Sequence, residues 1–536
     1  MSRARLSKLF LKNFKSYGPD AVEIDFHPLT LLVGRNNSGK SSIIQALLLL
    51  KQTIDQVRGN EPLTLHGTVP VPAGDLAEIT HGWQLGTDGE GPTLAVEWLS
   101  TVNIQEALDR AANPDLDELA KNSGIEWIKN PPPSIEMRTR LEINYATRDK
   151  RIVTTRTELR SWNVEETETT ENPTLSLVLK PDGGYDVLWQ NDPGLSKLEV
   201  EWVHFLPFVS VDRRKVGPRN SDRGRANGFL LIYDQPLADL QYLLSRLSYL
   251  SSARPTPQSI YQPAGGELSD VGISGERAAQ ILHSRGRDAF HYLKPVDLLN
   301  DGTVQDEIVK QKPLIEAIGE IFDFLGIPSR FSMEEIANIG FILHFGKASL
   351  FHVGRGISYL LPIIELGLLG DPLANQDLGG DVPLGAYLHQ IQEINHIAIE
   401  EPESHLHPAV HARLAHFFIS TAICGRQWLI ETHGDHLIRR LRRLAAAAPA
   451  NSAIEQWLCS NVAVLEVTQQ DGLSQVRKTL LTPSGEGSEQ WPEEFMDRAL
   501  DEEDAIYLKR IHKAPAPTIY EGVEIEHRSP DEDNGE

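Results

Sequence analysis

The segment Gly34-Arg35-Asn36-Asn37-Ser38-Gly39-Lys40-Ser41 constrains what this chain can fold into more than any other. It fits G-x-x-x-x-G-K-[ST], a loop that binds phosphate. Leu29-Thr30-Leu31-Leu32-Val33 before it is a short apolar, partly β-branched run that reads as a buried strand. The stretch from Ser42 to Gln52 has neither Gly nor Pro and reads as a helix, running out by about Arg58-Gly59-Asn60. Strand, glycine loop and helix together are the context the motif needs. Glycines let the backbone curl so that its N–H groups face an anion, and the helix N-terminus adds partial positive charge. The cradle runs from Gly34 through Ser42, with Lys40 reaching the β- and γ-phosphates and the Ser41 hydroxyl on Mg2+. Chance would produce the eight-residue pattern in only about one chain in fifty of this length, so nucleotide binding is the expectation.

At 536 residues the chain exceeds one compact core, and roughly two to four structural units are expected. No apolar run approaches a membrane span, and the first residues lead straight into a strand pattern, so a cytoplasmic protein without membrane contact is expected. Cys424 and Cys459 provide neither a disulfide framework nor a cysteine metal site. A formal net charge of -24 argues against indiscriminate nucleic-acid binding, while leaving room for a local basic groove.

Residues 6–14 and the alternating Ala21-Val22-Glu23-Ile24-Asp25-Phe26 read as a hairpin laid beside the strand that feeds the loop. Residues 1–100, with another strand at Thr93-Leu94-Ala95-Val96-Glu97-Trp98, are read as the N-terminal lobe of a nucleotide domain. Residues 101–330 read as an α+β insertion, with helices over 104–123, 236–251, 275–285 and 312–326 and a solvated acidic loop over 165–172. Residues 331–448 form the second lobe, 449–513 a small α/β piece, and 514–536 a disordered acidic tail.

His396-Ile397-Ala398-Ile399-Glu400-Glu401 is an apolar strand ending in two carboxylates, which the notion of a P-loop enzyme places beside the loop strand. Glu400 would then hold Mg2+ or its water shell, and Glu401 would polarise the attacking water. Followed by Pro402-Glu403-Ser404-His405-Leu406-His407-Pro408, the pair becomes specific. Glu-Glu-Pro-Glu-x-His-Leu-His-Pro resembles the Walker B and D-loop of ABC-type AAA ATPases related to RecF, SMC and OLD-family proteins. Val353-Gly354-Arg355-Gly356-Ile357-Ser358, before a helix expected over 359–369, resembles the degenerate signature motif of that group. Trp428-Leu429-Ile430-Glu431-Thr432-His433 resembles the switch strand, whose His433 contacts the γ-phosphate. Leu11-Lys12-Asn13-Phe14-Lys15-Ser16 resembles the opening turn, which places Lys12 and Asn13 near the nucleotide base. Residues 490–497 resemble the C-terminal piece of a bacterial subgroup of uncharacterised ATPases. This chain departs from the group in carrying Glu400 where Asp is usual, which leaves room for a metal contact through water. His81 and Gln84 are the two candidates for the Q-loop residue.

The resemblance implies an α/β ABC-type head, a mixed sheet flanked by helices, interrupted by a large insertion. It also implies ATP and Mg2+ as ligands, and a homo-dimer or higher homo-oligomer in which Gly354, Gly356 and Ser358 cap the γ-phosphate of a facing subunit. Bacterial relatives suggest an ATPase that senses a cue in anti-phage defence and controls a separate effector, a nuclease or toxin. A RecF- or SMC-like DNA clamp is the alternative, and an ABC transporter subunit a third. His405, His407, His411 and His416 invite a zinc site, although the D-loop motif accounts for the first two. The basic run holding Arg213, Arg214, Lys215, Arg219, Arg223 and Arg225 could grip nucleic-acid phosphates or form a solvated, acid-paired loop. Arg439-Arg440-Leu441-Arg442-Arg443 is expected at a helix C-terminus, where cations suit the helix dipole.

Overall fold

A computed structural model describes residues 4–56, 61–67, 73–111, 114–164, 169–190, 198–211, 221–266, 268–295, 308–374, 376, 378–391, 393–489 and 491. The acidic tail over 514–536, the 490–497 segment apart from Trp491, and Arg213, Arg214, Lys215 and Arg219 lie outside these residues.

The chain opens with β1 (Arg5–Lys12), β2 (Val22–Asp25) and β3 (Leu29–Val33), then enters α1 (Lys40–Ile54). β1 and β2 pair as the expected hairpin, Lys8 opposite Asp25. Their sheet, however, is not that of β3. β1 takes β4 (Glu90–Asn103) as its second neighbour, because its register fits the long antiparallel partner from Arg5 to Lys12. This sheet continues through β5 (Ser134–Arg148), β6 (Arg151–Val164), β7 (Thr169–Glu171), β8 (Leu175–Leu179) and β9 (Tyr185–Trp189), in the order β2-β1-β4-β5-β6-β8-β9 with β7 on β6. Strands from the stretch read as an insertion thus extend the sheet begun by β1. β5 buries alternate residues, the pattern of a sheet covered on one face. It turns into β6 at Asp149 and Lys150, both at positive φ (48° and 62°), as a two-residue I′ hairpin demands.

The single helix expected over 104–123 is two, α2 (Ile104–Arg110) and α3 (Leu116–Ser123), each N-capped by its own side chain, Asn103 and Asp115. β10 (Leu198–Val203) and β11 (Leu206–Val211) form a separate hairpin. α4 (Ser221–Phe229), which carries Arg223 and Arg225, runs through a π-helical turn into α5 (Gln235–Ser245). The helix expected to reach residue 251 stops there, and Ser248–Leu250 forms a strand, β12. Next come α6 (Ala278–Arg285), β13 (Ala289–Leu293), β14 (Ile308–Pro313), α7 (Leu314–Phe324), β15 (Phe331–Ile336), β16 (Gly340–Phe345) and β17 (Ala348–Ser349).

α8 (Arg355–Leu369) starts four residues before the expected 359, so Gly356 and Ser358 sit in its first turn rather than in a preceding loop. Then follow β18 (Val382–Pro383), α9 (Leu384–Gln390), β19 (Asn395–Glu400), α10 (Pro408–Ile423), β20 (Arg426–Glu431), α11 (Asp435–Ala447), α12 (Ala453–Asn461), β21 (Val462–Gln470) and β22 (Leu473–Leu480). The arginine run from 439 to 443 lies in the middle of α11, not at its end.

The second large sheet has the order β12-β19-β20-β3-β21-β22, parallel except for β22. The expectation that the Glu400 strand lies beside β3 is therefore corrected: β20 sits between them. All five residues of β3 are buried, as a parallel strand covered on both faces requires. Helices α1, α10 and α12 pack against β20, β3 and β21. The α/β architecture of a P-loop ATPase, a mixed sheet flanked by helices, is the one found.

Candidate active site

The phosphate loop joins β3 to α1. Gly34, Asn37 and Gly39 have positive φ of 141°, 63° and 109°. At Gly34 and Gly39 a side chain is also excluded by space: a Cβ would stand 2.1 Å from the Val467 carbonyl oxygen and 2.5 Å from Ser474 Oγ. α1 starts without a side-chain cap and without an acid in its first turn, so no side chain of the helix start competes with an anion there, although the Ser42 N–H donates to the Gly39 carbonyl (3.1 Å). Ser474 Oγ donates to the Ser38 carbonyl (2.6 Å) and meets Ser16 Oγ (2.7 Å), while the Tyr17 hydroxyl donates to the Gly39 carbonyl (3.1 Å). The loop is thus braced by β22 and by the turn after β1.

Lys40 is buried and folded back on its own loop, its Nζ donating to the carbonyls of Gly34 (3.0 Å) and Arg35 (2.8 Å). Ser41 Oγ donates to Glu431 Oε1 at 3.0 Å, and the same oxygen lies 4.0 Å from Lys40 Nζ. Glu431 is the site residue that sequence reasoning passed over, although it ends the strand directly before Thr432-His433. It is 6% exposed, and its Oε2 is buried without a hydrogen-bond partner. Burial and the neighbouring Glu400 push its carboxyl up to about 7, against the Ser41 bond and the Lys40 charge. Burial also lowers the Lys40 ammonium, with Glu431 and Glu401 opposing.

Glu400 ends β19 directly opposite Glu431 on β20. Its Oε1 accepts from the Tyr249 hydroxyl (3.0 Å) and its Oε2 from the Ser252 amide (3.3 Å). Arg254, 7% exposed, donates through Nη2 to the Glu400 carbonyl at 2.9 Å and receives the Tyr359 hydroxyl on its own carbonyl at 3.1 Å. The segment from β12 to Arg254 thus ties the carboxylate strand to α8, a link spread over more than a hundred residues that no local motif announces.

Glu401 sits just past β19 with φ 44°, held by its N–H on the Glu431 carbonyl (2.8 Å) and by Ser404 Oγ donating to Oε2 (2.9 Å). Glu403 Oε1 accepts the amides of His433 (2.6 Å) and Gly434 (3.0 Å), tying the segment after β19 to the one after β20. His433 is exposed although its ring is partly buried, and that partial burial together with the Lys40 charge lowers its pKa.

Residues 353–358, expected to be the signature motif, border the 402–408 segment expected to be the D-loop. A Cβ on Gly356 would lie 2.7 Å from the His405 carbonyl oxygen, and the Tyr359 and His405 rings meet edge-on at 4.9 Å. Gly354 is exposed, with no atom within 4 Å of a would-be Cβ, and α8 begins without a side-chain cap or first-turn acid. Ser358 Oγ donates to the Arg355 carbonyl at 2.8 Å. Lys12 ends β1, and Asn13 accepts the His81 amide at 2.9 Å. The His81 ring meets the Lys15 carbonyl at 2.8 Å, whereas Gln84 is exposed.

The four histidines serve separate neighbours. His407 Nδ1 caps α10 by accepting from Ala409, His411 faces the ring of His436, and His416 accepts from Arg440. Among the described residues no trio of His, Cys, Asp or Glu could hold a metal by itself. A cation at Ser41 therefore has to share its coordination with phosphate and water. That is how Mg2+ is commonly held, and the hard oxygen donors here suit it.

Residues 5–174 match the model of a family described as AAA ATPase domain. An 80-residue stretch, 13% of this chain, is 38% identical to the Chromosome partition protein Smc of Mycoplasma genitalium, and spans 8% of that protein's length. Solved structures similar to this chain include an SmcHead bound to the C-winged helix domain of ScpA (13% identity, 89% of this chain and 98% of that one, TM-score 0.35). They also include the SMC head domain from Thermotoga maritima (13% identity, 88% and 98%, TM-score 0.32). A third is an Smc head domain with an extended coiled coil bound to the C-terminal domain of ScpA derived from Pyrococcus furiosus (12% identity, 96% and 100%, TM-score 0.34). The part of the chain that holds the phosphate loop matches an AAA ATPase domain.

Proposed function

We propose that this chain is a Mg2+-dependent ATPase acting as a nucleotide-gated dimeric switch, the regulator of a separate nuclease or toxin in an anti-phage defence system. The observation that carries the ATPase reading is a convergence. Lys40 and Ser41 after β3, Glu400 and Glu401 at the end of β19, and Glu431 and His433 at the end of β20 lie at the carboxyl-terminal ends of three neighbouring parallel strands of one sheet.

The uncapped first turn of α1 receives the phosphates, and Lys40 leaves the Gly34 and Arg35 carbonyls to reach their β- and γ-oxygens. Glu401 takes a proton from the water that attacks the γ-phosphorus, while the bond to the β–γ bridging oxygen breaks to release ADP and phosphate. His433 stands beside the γ-phosphate. Ser41 and a carboxylate would hold Mg2+, which would supply positive charge to offset the phosphate oxygens. The exposed start of α8, with Gly354, Gly356 and Ser358, is offered to the γ-phosphate of a second copy, so ATP biases an open–closed equilibrium between two chains.

A second reading, a RecF- or SMC-like ATPase that binds DNA itself, is favoured by the local identity to the chromosome partition protein. The test is affinity purification of Glu401→Gln with ATP and Mg2+ from cells carrying the native neighbouring genes, followed by mass spectrometry and nucleic-acid staining. A stoichiometric protein retained in one nucleotide state supports an effector. Nucleic acid alone, lost steeply with salt, moves the protein to the DNA-clamp class.

A further inference from the structure

We infer that Glu431 is the carboxylate that ligates Mg2+ directly beside Ser41, with Glu400 standing behind it. The inference rests on the ATPase reading and names the metal ligand within it. Four observations carry it.

Ser41 Oγ and Glu431 Oε1 are 3.0 Å apart. Octahedral Mg2+ bonds of about 2.1 Å at right angles put adjacent ligand oxygens ~3.0 Å apart. The pair already has the spacing of one edge of that octahedron, and replacing the shared proton contact by the cation needs little movement of either side chain.

The second oxygen of Glu431 is buried without a partner, a position a native structure seldom leaves unused. Glu400 contrasts with it. Both of its oxygens are engaged, by the Tyr249 hydroxyl and the Ser252 amide, and these contacts come from the far side of the sheet order, through β12.

The strand order points the same way. β20 is the immediate neighbour of β3, and Glu431 is paired with Leu32 at the root of the phosphate loop, whereas β19 is one strand further out. A carboxylate on the adjacent strand reaches the first residue after Lys40 directly. One on the next strand reaches it across the first.

Charge completes the argument. Glu431 has Lys40 as its nearby cation, at 4.0 Å, while Glu400 and Glu401 add like charge. Once Lys40 turns to the phosphates, the pocket loses that cation and gains anionic oxygens, which a divalent ion between Ser41, Glu431 and the phosphates offsets.

The test uses the full chain with a non-hydrolysable ATP analogue. Mn2+ binding is read by EPR, and nucleotide affinity in EDTA is read by fluorescence of a labelled analogue. Glu431→Gln is expected to weaken Mn2+ binding about tenfold or more while leaving affinity in EDTA intact, with Glu400→Gln losing less. Glu431→Asp, which keeps the charge and shortens the reach, is expected to fall between wild type and Glu431→Gln, and serves alone should the amide misfold. Wild-type Mn2+ affinity in the Glu431 variants, or a larger loss in Glu400→Gln, overturns the assignment. A wild-type chain that binds no analogue in EDTA or with Mn2+ overturns the ATPase reading itself, a distinguishable failure.

Discussion

The Leu6 amide donates to His396 Nε2 at 3.2 Å, joining β1 of the antiparallel sheet to β19 of the nucleotide sheet. Gln427 on β20 completes the join by donating to the Leu6 carbonyl at 2.9 Å. The imidazole must be unprotonated at Nε2 to accept this bond, and burial drives its pKa down to about 3. A histidine whose folded value lies below its unfolded value of about 6.5 contributes stability above that pH and loses it as pH falls toward 3. The slope is on the order of 1.4 kcal/mol per pH unit for one group. Urea midpoints of wild type and His396→Gln measured from pH 4 to 8 are expected to show the wild-type advantage shrinking on the acid side. A constant gap across that range refutes the role.

Glu401→Gln is expected to bind ATP and hydrolyse it on the order of 10²-fold or more slowly, the usual loss for a general base. It should accumulate as a dimer by light scattering with ATP, whereas Lys40→Ala should bind no ATP and stay unassociated. Wild-type hydrolysis by both variants refutes the site.

Gly354 and Gly356 separate two effects. Alanine at Gly356 presses on the His405 carbonyl, displacing the D-loop and slowing hydrolysis by roughly 10²-fold, as an ångström of misplacement can. Alanine at Gly354 meets nothing in the single chain, so thermal stability should change by less than about 0.5 kcal/mol. If that helix start faces a second copy's phosphate, Gly354→Ala nevertheless weakens the ATP-dependent dimer in sedimentation. An unaltered dimer counts against the trans geometry.

Ser474→Ala removes the hydroxyl that holds the Ser38 carbonyl and Ser16. Leaving a buried acceptor unmade costs about 1–3 kcal/mol, so a melting-temperature drop and weaker labelled-nucleotide binding are expected. An unchanged nucleotide affinity would show that the loop holds its shape without β22.

What could be read in advance follows the range of the contacts. β3, the glycine loop and α1 are contiguous, so their pattern was open to local reasoning, as was the strand ending in Glu400 and Glu401. Strand order is not local. Placing β20 between β3 and β19 requires knowing how residues about four hundred apart pair, and periodicity carries no such information. Glu431 was hidden for that reason: at the end of an apolar strand it looks ordinary until Ser41, 390 residues away, meets it. Tyr249 lay inside a stretch read as helix, and Ser252 and Arg254 in a part of the 101–330 insertion to which no element was given. The early start of α8 escaped notice because Gly356 is a poor helix former, tolerated there because its missing Cβ lets the D-loop come close.

The position of β3 also has a consequence for biosynthesis. Its two neighbours in the sheet are residues 426–431 and 462–470, and the brace at Ser474 comes later still. At about 5–20 residues per second, translation needs roughly 20–90 s after the phosphate loop has been made before those strands exist. During that interval the apolar β3 has no sheet to enter, while β1, β2 and β4 already have one another. The loop that binds ATP is translated long before the strands that enclose it, so a nascent chain gains its nucleotide pocket only after Ser474 has been made.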